Sequence, residues 1–521
     1  MKRLDNFLSA GILAGAFVFL ASIVVSSVLA AGPKGTVIHF TVPHLPASPG
    51  MTQDGQYYCW LPEGTGSYRA VICHLHACGA DGAAPSFMND VWWTTLAKKY
   101  HAVFIAPMYC TCGDAIACRN WCYPDQGQSH LNWIAALDTL AKRTNHPEIS
   151  TIPWCLWGHS GGSYWVGVVT DKYPERVCAT VQKSYCTNMT NPLAYKVPVL
   201  HQDGGPRDLV QDDGCFNDGR NHNAHWAHSI DPGSGHDCAN SRELAIPWFD
   251  MAMAMRLPDS AGGPASKMKP VDTTTEWFGD MNSHTIAPLA SFTGNKNNAS
   301  WFPNGHMASL WREYCITTNG AGKVKDSTMP PAPYNVIGTY SNKSITINWD
   351  CDADLETGIK TFVVYRNGTL LKTLTYTARN NPDYLGTSGY QVYGFNDEGN
   401  PNPAPAMTLT DATVSDTGTY TFQVSCINYS NLEGDKSANL TLSKGNVTAT
   451  KPMAQMSIPK SKHIGLAFGG NPALRDGPVA LYDVRGRLLI RSDRSAGGSL
   501  NALLGKNTDK IFVVQPVIST K

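Results

Sequence analysis

Short apolar runs alternate with amphipathic stretches from about residue 35 to residue 325. Ala70 to Leu75, Ala102 to Ala106, Trp154 to Trp157 and Val197 to Leu200 are strand-length apolar runs, which predicts strands buried on both faces. Asn132 to Lys142, Gly162 to Lys172 and Arg242 to Arg256 carry their apolar residues at helical spacing. Together these predict an α/β domain with a mostly parallel sheet. After Asp326 the pattern changes. Pro330-Pro331-Ala332-Pro333 predicts a stiff linker. From Ile345 to Leu442 helical periodicity vanishes: Ser344 to Trp349 and Thr361 to Tyr365 alternate, with Asn367-Gly368 as a hairpin turn. That predicts a β-sandwich of about 110 residues. A loose linker, Gly445 to Lys462, then leads to a small β-rich tail, where Val479 to Val484 and Arg487 to Ile490 flank an Arg485-Gly486 turn.

Lys2 and Arg3 precede an apolar stretch from Phe7 to Leu29, and Val28-Leu29-Ala30 supplies small residues for cleavage, so residues 1–30 read as a secretory signal. The stretch is also long enough for an uncleaved membrane anchor. The expected location is secreted or cell-surface. The plan is then a catalytic domain over 31–325, a sandwich over 326–445, and a linker with a terminal β domain over 446–521. A length of 521 residues accommodates several domains. Lys+Arg and Asp+Glu balance at 41 each, so no global field favours nucleic acid or an anionic membrane.

Fifteen cysteines suit an oxidising compartment, and their odd number leaves at least one outside any intrachain disulfide. Cys110, Cys112, Cys118 and Cys122 lack the paired Cys-x-x-Cys spacing of structural zinc and read as a disulfide-stapled loop. Cys73 and Cys155, inside apolar runs, read as buried thiols.

The strongest chemical signal is Gly158-His159-Ser160-Gly161-Gly162. An apolar run precedes it and a helical stretch follows it, giving the strand, tight turn and helix of a nucleophile elbow. The helix N-terminus then aims backbone N–H groups at the place where an oxyanion forms. A serine hydroxyl needs a base, and the base needs an orienting carboxylate. Asp208 follows the Val197 to Leu200 strand and a Gly204-Gly205 turn, which places it as the acid, with Asp203 and Asp213 as alternatives. His236 stands on the Gly-rich Pro232-Gly233-Ser234-Gly235 loop ahead of the Arg242 helix and is the expected base, with His222, His225, His228 and His306 as competitors. Gly161 is the expected first oxyanion donor. The second is Ala77 or Cys78, on the loop after the Val71 to Leu75 strand. No cofactor is expected.

Other clusters have plainer readings. His222, His225 and His228, three apart, would share a helix face and read as polar surface rather than a metal site. Asp350, Asp352, Asp354 and Glu356 lack the glycine and final glutamate of an EF-hand and read as a solvated loop. Trp92, Trp93, Trp121 and Trp133 are candidates for an aromatic cleft or for core.

With the elbow, His76-Ala77-Cys78-Gly79 and His236, residues 35–320 resemble secreted α/β-hydrolase esterases, nearest to polyhydroxybutyrate depolymerases and to feruloyl and acetylxylan esterases. Ala77 stands where those enzymes often carry glycine. Residues 330–443 resemble a fibronectin type III domain through Trp349, Tyr365 and the Asp416-Thr417-Gly418-Thr419-Tyr420 run, the last of which also looks like an immunoglobulin tyrosine corner. Residues 463–521 resemble the C-terminal sorting domains of type IX secretion through Leu481-Tyr482-Asp483-Val484-Arg485-Gly486-Arg487-Leu488, which implies secretion machinery as a partner. The resemblance implies an exported serine esterase acting on an ester-bearing polymer or its fragments. The alternatives are a peptidase with the same triad, or a non-catalytic surface-binding protein built on a hydrolase-like domain.

Overall fold

In the computed structural model the strand β5 (Trp154–His159) sends Trp154 and Leu156 to one face of a sheet and Cys155 and Trp157 to the other. That two-sided burial explains why its sequence reads as an unbroken apolar run. The structure describes residues 32–45, 51–78, 87–88, 90–109, 119–204, 214–231, 236, 241–316, 326, 328–341, 343–375, 406–415, 417–428 and 430–443, and the strand backbones of 479–482, 488–492 and 513–516. The expected signal segment lies outside these residues.

β5 is one of eight strands in a single sheet. The others are β1 (Gly35–Val42), β2 (Gly55–Pro62), β3 (Val71–Leu75), β4 (Val103–Met108), β6 (Val177–Lys183), β7 (Val199–Gly204) and β8 (Trp226–Asp231). They lie in the order β1-β2-β4-β3-β5-β6-β7-β8. β2 pairs antiparallel with β1 and β4, and the pairs from β4 through to β8 are parallel. The crossovers include the helices α1 (Val91–Tyr100), α2 (Ser129–Thr144) and α3 (Gly161–Lys172), and α4 (Arg242–Arg256) follows the last strand of the sheet. A mostly parallel sheet with helices is the α/β architecture expected from the pattern, and it fits the α/β-hydrolase fold that the resemblance implies. Its two faces carry separate cores. One holds Trp93, Trp157, Trp248 and Phe249, and the other Trp133, Trp154, Trp165 and Trp226.

Trp92, Trp93, Trp121 and Trp133 are all buried, so the aromatic-cleft option gives way to core packing. Cys73 and Cys155 are buried and unbridged, as expected of cysteines in interior strands. After β8 the chain adds a three-stranded antiparallel sheet, β10 (Ile286–Pro288), β9 (Trp277–Asp280) and β11 (Ala299–Phe302), and then α5 (Gly305–Ile316). Ser300 on β11 closes this addition onto the main sheet: its hydroxyl accepts from His228 N–H at 2.8 Å and donates to His228 C=O at 3.1 Å.

The sandwich pairs two antiparallel sheets. One is β12 (Tyr334–Ser341), β13 (Ser344–Asp350) and β16 (Thr408–Asp411); the other is β15 (Thr369–Thr375), β14 (Thr361–Arg366), β17 (Thr419–Ile427) and β18 (Leu440–Ser443). Alternate residues of each, such as Ile345, Ile347, Trp349, Phe362 and Val424, fill the space between them. The β14–β15 hairpin turns at Asn367 (φ 52°) and Gly368 (φ 82°), the positive pair that a two-residue turn requires. At the start of β17, the Tyr420 hydroxyl accepts from Ser415 N–H at 2.8 Å, a tyrosine corner.

The α/β module and the sandwich belong to one compact unit ending at Thr450. Contacts between them include several from α1 and α5, besides an ion pair of Lys34 with Asp350 (3.6 Å). Trp92 Nε1 donates to Leu355 C=O (3.2 Å), Ala353 N–H to Thr95 Oγ1 (2.9 Å) and Lys98 Nζ to Asp352 (2.7 Å), and His306 meets Glu356 at 2.9 Å. The Asp350–Glu356 loop is therefore not the solvated loop read from sequence. Asp350 and Asp354 are buried, because the loop is pressed between the two modules. Residues 451–521 form a second unit containing β19 (Val479–Tyr482), β20 (Leu488–Ser492) and β21 (Val513–Pro516), with β19 antiparallel to both others. The expected Arg485-Gly486 turn lies outside the described residues.

Candidate active site

Ser160 joins β5 to α3 with φ 52° and ψ −113°, a left-handed conformation that a side-chain-bearing residue adopts only under constraint. The constraint is visible on both sides. Ser160 N–H donates to Lys183 C=O on β6 (2.8 Å), and Tyr164 N–H donates to Ser160 C=O (3.0 Å). The flanking glycines are required by contact. A Cβ on Gly158 would stand 2.3 Å from Gly162 C=O, and one on Gly162 would stand 2.4 Å from His76 C=O. The Gly-x-Ser-x-Gly pattern thus records how closely β3, β5 and α3 converge at the elbow.

His236 Nε2 lies 2.8 Å from Ser160 Oγ, within hydrogen-bond reach of the serine hydroxyl. Ser160 is half-buried and His236 is exposed, so the pair faces solvent. The competing histidines are engaged elsewhere. His222 Nδ1 meets Asp218 C=O (2.8 Å), His225 Nδ1 meets Lys196 C=O (3.2 Å) and His306 meets Glu356. His228 Nε2 binds Asp203 Oδ2 at 2.5 Å, both side chains buried. His228 is on a strand, so these histidines do not share the helix face read from their spacing, and among the described residues no group of three or more potential metal ligands forms.

The described residues on either side of the His236 segment are anchored. On the near side, Asp203–His228 ties β7 to β8. On the far side, Trp157 Nε1 donates to Ser241 Oγ (3.0 Å), Ser241 Oγ donates to Gln202 Oε1 (2.6 Å), and Arg242 pairs with Asp90 in the interior. Asp208 and Asp213 lie outside the described residues. Their segment leaves β7 at Gly204 and resumes at a helix over 214–221, where Cys215 is joined to Cys186 by a disulfide. Nearby, burial and then the neighbouring His228 push His201 down to about 3, so it is neutral at physiological pH.

The loop after β3 sits against the elbow. The Cβ that Gly161 lacks would stand 3.3 Å from Cys78 N and 2.1 Å from Cys78 Sγ. His76 Nε2 accepts from Tyr109 N–H (3.1 Å), which leaves Nδ1 to donate to Ala77 C=O (2.6 Å). In a trans peptide the carbonyl and the following N–H point oppositely, so this bond turns Cys78 N–H away from the His76 ring. Sequence alone left Ala77 and Cys78 unresolved; of the two, it is the backbone nitrogen of Cys78 that stands beside Gly161.

The described residues also form a groove of about 980 Å³ lined by Met251, Met255, Met307, Leu355 and Glu356; His306 borders it, whereas Ser160, His236, Gly161, Ala77 and Cys78 do not.

No protein-family model matches the chain, and no curated protein does. Solved structures do. A thermostable esterase aligns at 13% identity with a TM-score of 0.29, over 37% of this chain and 54% of its own. This chain thus spans about half of that esterase. A cold-adapted esterase from an Arctic intertidal metagenomic library aligns at 15% identity and a TM-score of 0.31, over 44% of this chain and 93% of its own. An acylaminoacyl peptidase of Pyrococcus horikoshii aligns at 10% identity and a TM-score of 0.29, over 39% of this chain and 38% of its own.

Proposed function

We propose that the chain is an exported serine hydrolase of carboxylic esters, acting on an ester-bearing polymer or its fragments. One observation carries the reading: His236 Nε2 stands 2.8 Å from the hydroxyl of a serine held at φ 52° on a strand–helix elbow. Ser160 Oγ attacks the ester carbonyl as His236 takes its proton. Gly161 and Cys78 N–H groups receive the oxyanion, each donor contributing ~3 kcal/mol to the transition state. The imidazolium then protonates the departing alcohol, leaving an acyl-serine. His236 next draws a proton from water, which attacks the acyl group and frees the carboxylic acid and Ser160. Asp208 is assigned as the residue that orients His236 and stabilises its charged form. Export rests on Lys2, Arg3 and the Phe7 to Leu29 stretch, and delivery by secretion machinery rests on the terminal β domain.

The decisive experiment is labelling with a fluorophosphonate, followed by peptide mapping. The label should fall on Ser160 and disappear in Ser160→Ala and His236→Ala. An unlabelled, folded protein would instead support a binding protein on a hydrolase-like scaffold. A panel of acetyl, feruloyl and hydroxybutyrate esters beside peptide amides then names the substrate, and preference for amides would replace the esterase reading with a peptidase.

A further inference from the structure

We propose that Cys122 is a positioning residue for the second oxyanion donor, acting through a disulfide with Cys78. The two Sγ atoms lie 3.3 Å apart. A disulfide requires ~2.05 Å, so the sulfurs need to close by only a little over an ångström. The pair packs on the residue after the nucleophile: the Cβ missing from Gly161 would meet Cys78 Sγ at 2.1 Å and Cys122 Cβ at 3.1 Å.

The two cysteines are held very differently. Cys122 ends a short helical turn, Arg119–Cys122, tied to two helices. Trp121 C=O accepts from Ser129 Oγ (2.6 Å), which in turn accepts from Trp165 Nε1 on α3 (2.8 Å), and the Trp121 ring packs 4.8 Å from that of His76. Cys78 follows the last residues of β3 on a loop, where His76 Nδ1 donates to Ala77 C=O. A covalent link from the braced turn to this loop fixes the Cys78 N–H beside Gly161. Cys59 and Cys73, by contrast, are buried in strands where desolvation pushes their thiols up, away from exchange chemistry. Cys78 is half-buried and within reach of a small disulfide.

The chemistry balances as thiol–disulfide exchange. One cysteine thiolate attacks oxidised glutathione and expels one glutathione thiolate. The second cysteine then attacks the mixed disulfide and expels the other. The pair loses two protons and two electrons, and glutathione disulfide becomes two thiols.

The role rests on the ester-hydrolase reading, so the test separates bond from activity. The full chain is purified without reductant, alkylated, digested and mapped by mass, and then assayed on p-nitrophenyl acetate across glutathione redox buffers. The expected map contains a Cys78–Cys122 peptide pair. Turnover should follow the fraction of that bond, with kcat falling at least about tenfold on its reduction and KM within about twofold. That is part of the 10²–10³ lost when an oxyanion donor is deleted. Cys122→Ser should stay at the reduced level in every buffer. Active wild-type protein with both thiols alkylated, Cys78 bridged to another cysteine, or Cys122→Ser with full turnover would each overturn the proposal alone. A mapped Cys78–Cys122 bond with no hydrolysis in any buffer would overturn the ester-hydrolase reading and, with it, the positioning role.

Discussion

The Arg242 guanidinium donates to the Asp90 carboxylate with both side chains buried, joining the helix after His236 to the helix that follows the Ala77–Cys78 segment. Asp90 also caps α1, accepting from Trp92 N–H (2.9 Å) and Trp93 N–H (3.1 Å). Removing one member of such a pair strands a charge in the interior, at about 3–5 kcal/mol. Arg242→Met should lose about that much in urea denaturation. Arg242→Met/Asp90→Asn should recover part of it, since asparagine caps without needing a cation. Arg242→Met unfolding within about 1 kcal/mol of wild type would show that the pair does not brace the loops.

How much of this was legible in the sequence depended on distance along the chain. Ser160 was readable because strand, turn and helix are contiguous, and the helix from Arg242 to Arg256 begins and ends where its periodicity does. His236 was readable from its glycine-rich loop. The strand Val177–Lys183 escaped notice because Thr180, Gln182 and Lys183 interrupt the apolar run, although all three are buried. The Asp203–His228 bond was invisible because it depends on β7 and β8 pairing, and Cys78–Cys122 because 44 residues separate its members. The acidic loop after Asp350 was misread for the same reason: its burial comes from α1, more than two hundred residues upstream, with 254 residues separating Lys98 from Asp352.

The elbow glycines provide a steric test. Gly162→Ala would drive a methyl group to 2.4 Å from His76 C=O and 2.7 Å from Leu75 C=O, backbone atoms with no room to yield. Turnover on a p-nitrophenyl ester should fall by at least about 10²-fold, since misplacing a reacting group by an ångström costs that much. Gly214→Ala, where an added Cβ meets nothing within 4 Å, should leave turnover unchanged. Equal effects from the two would refute the contact argument.

The two carboxylates near β7 should separate by what they damage. Asp208→Asn, if Asp208 orients His236, leaves the fold intact and lowers kcat by about 10⁴. Asp203→Asn weakens a buried bond to His228 and should appear first as a lower unfolding midpoint. Stopped-assay kinetics and calorimetry on both variants decide the matter. A 10⁴ loss in Asp203→Asn at unchanged Tm would transfer the orienting role to Asp203.

Ser160 and His236 should behave as one unit. Each alanine variant should lose at least about 10⁴ in kcat, and Ser160→Ala/His236→Ala should lose little more than either. Losses that multiply in the double variant would show that the 2.8 Å contact is not the one used in turnover.

The stability of the folded chain should fall as pH rises from about 5 to 8. Burial, and then the charge of Asp326, push Asp354 up to about 7 from an ordinary 3.8. Between those values the folded chain holds a proton that the unfolded chain has released, so stability falls with pH across that interval and levels off above it. His306 adds to the trend. Its bond to Glu356 raises it above 6.5, giving stability that is present below that value and lost as pH passes through the folded one; its exposure makes this the smaller share. Burial alone would raise Asp326, but the hydrogen bonds from Thr357 and Thr328 and its interaction with Glu356 together outweigh it and leave Asp326 lowered, so its contribution is lost only below about pH 4 and does not oppose the trend. Asp354→Asn keeps a neutral side chain beside Asn428 and removes the titration. Calorimetric scans of wild type and Asp354→Asn at pH 5.5 and 8 provide the check. The fall in Tm between the two pH values should be smaller in the variant, by about 2–4 °C for each kcal/mol of linkage removed. Identical pH slopes in the two proteins would place the titration elsewhere.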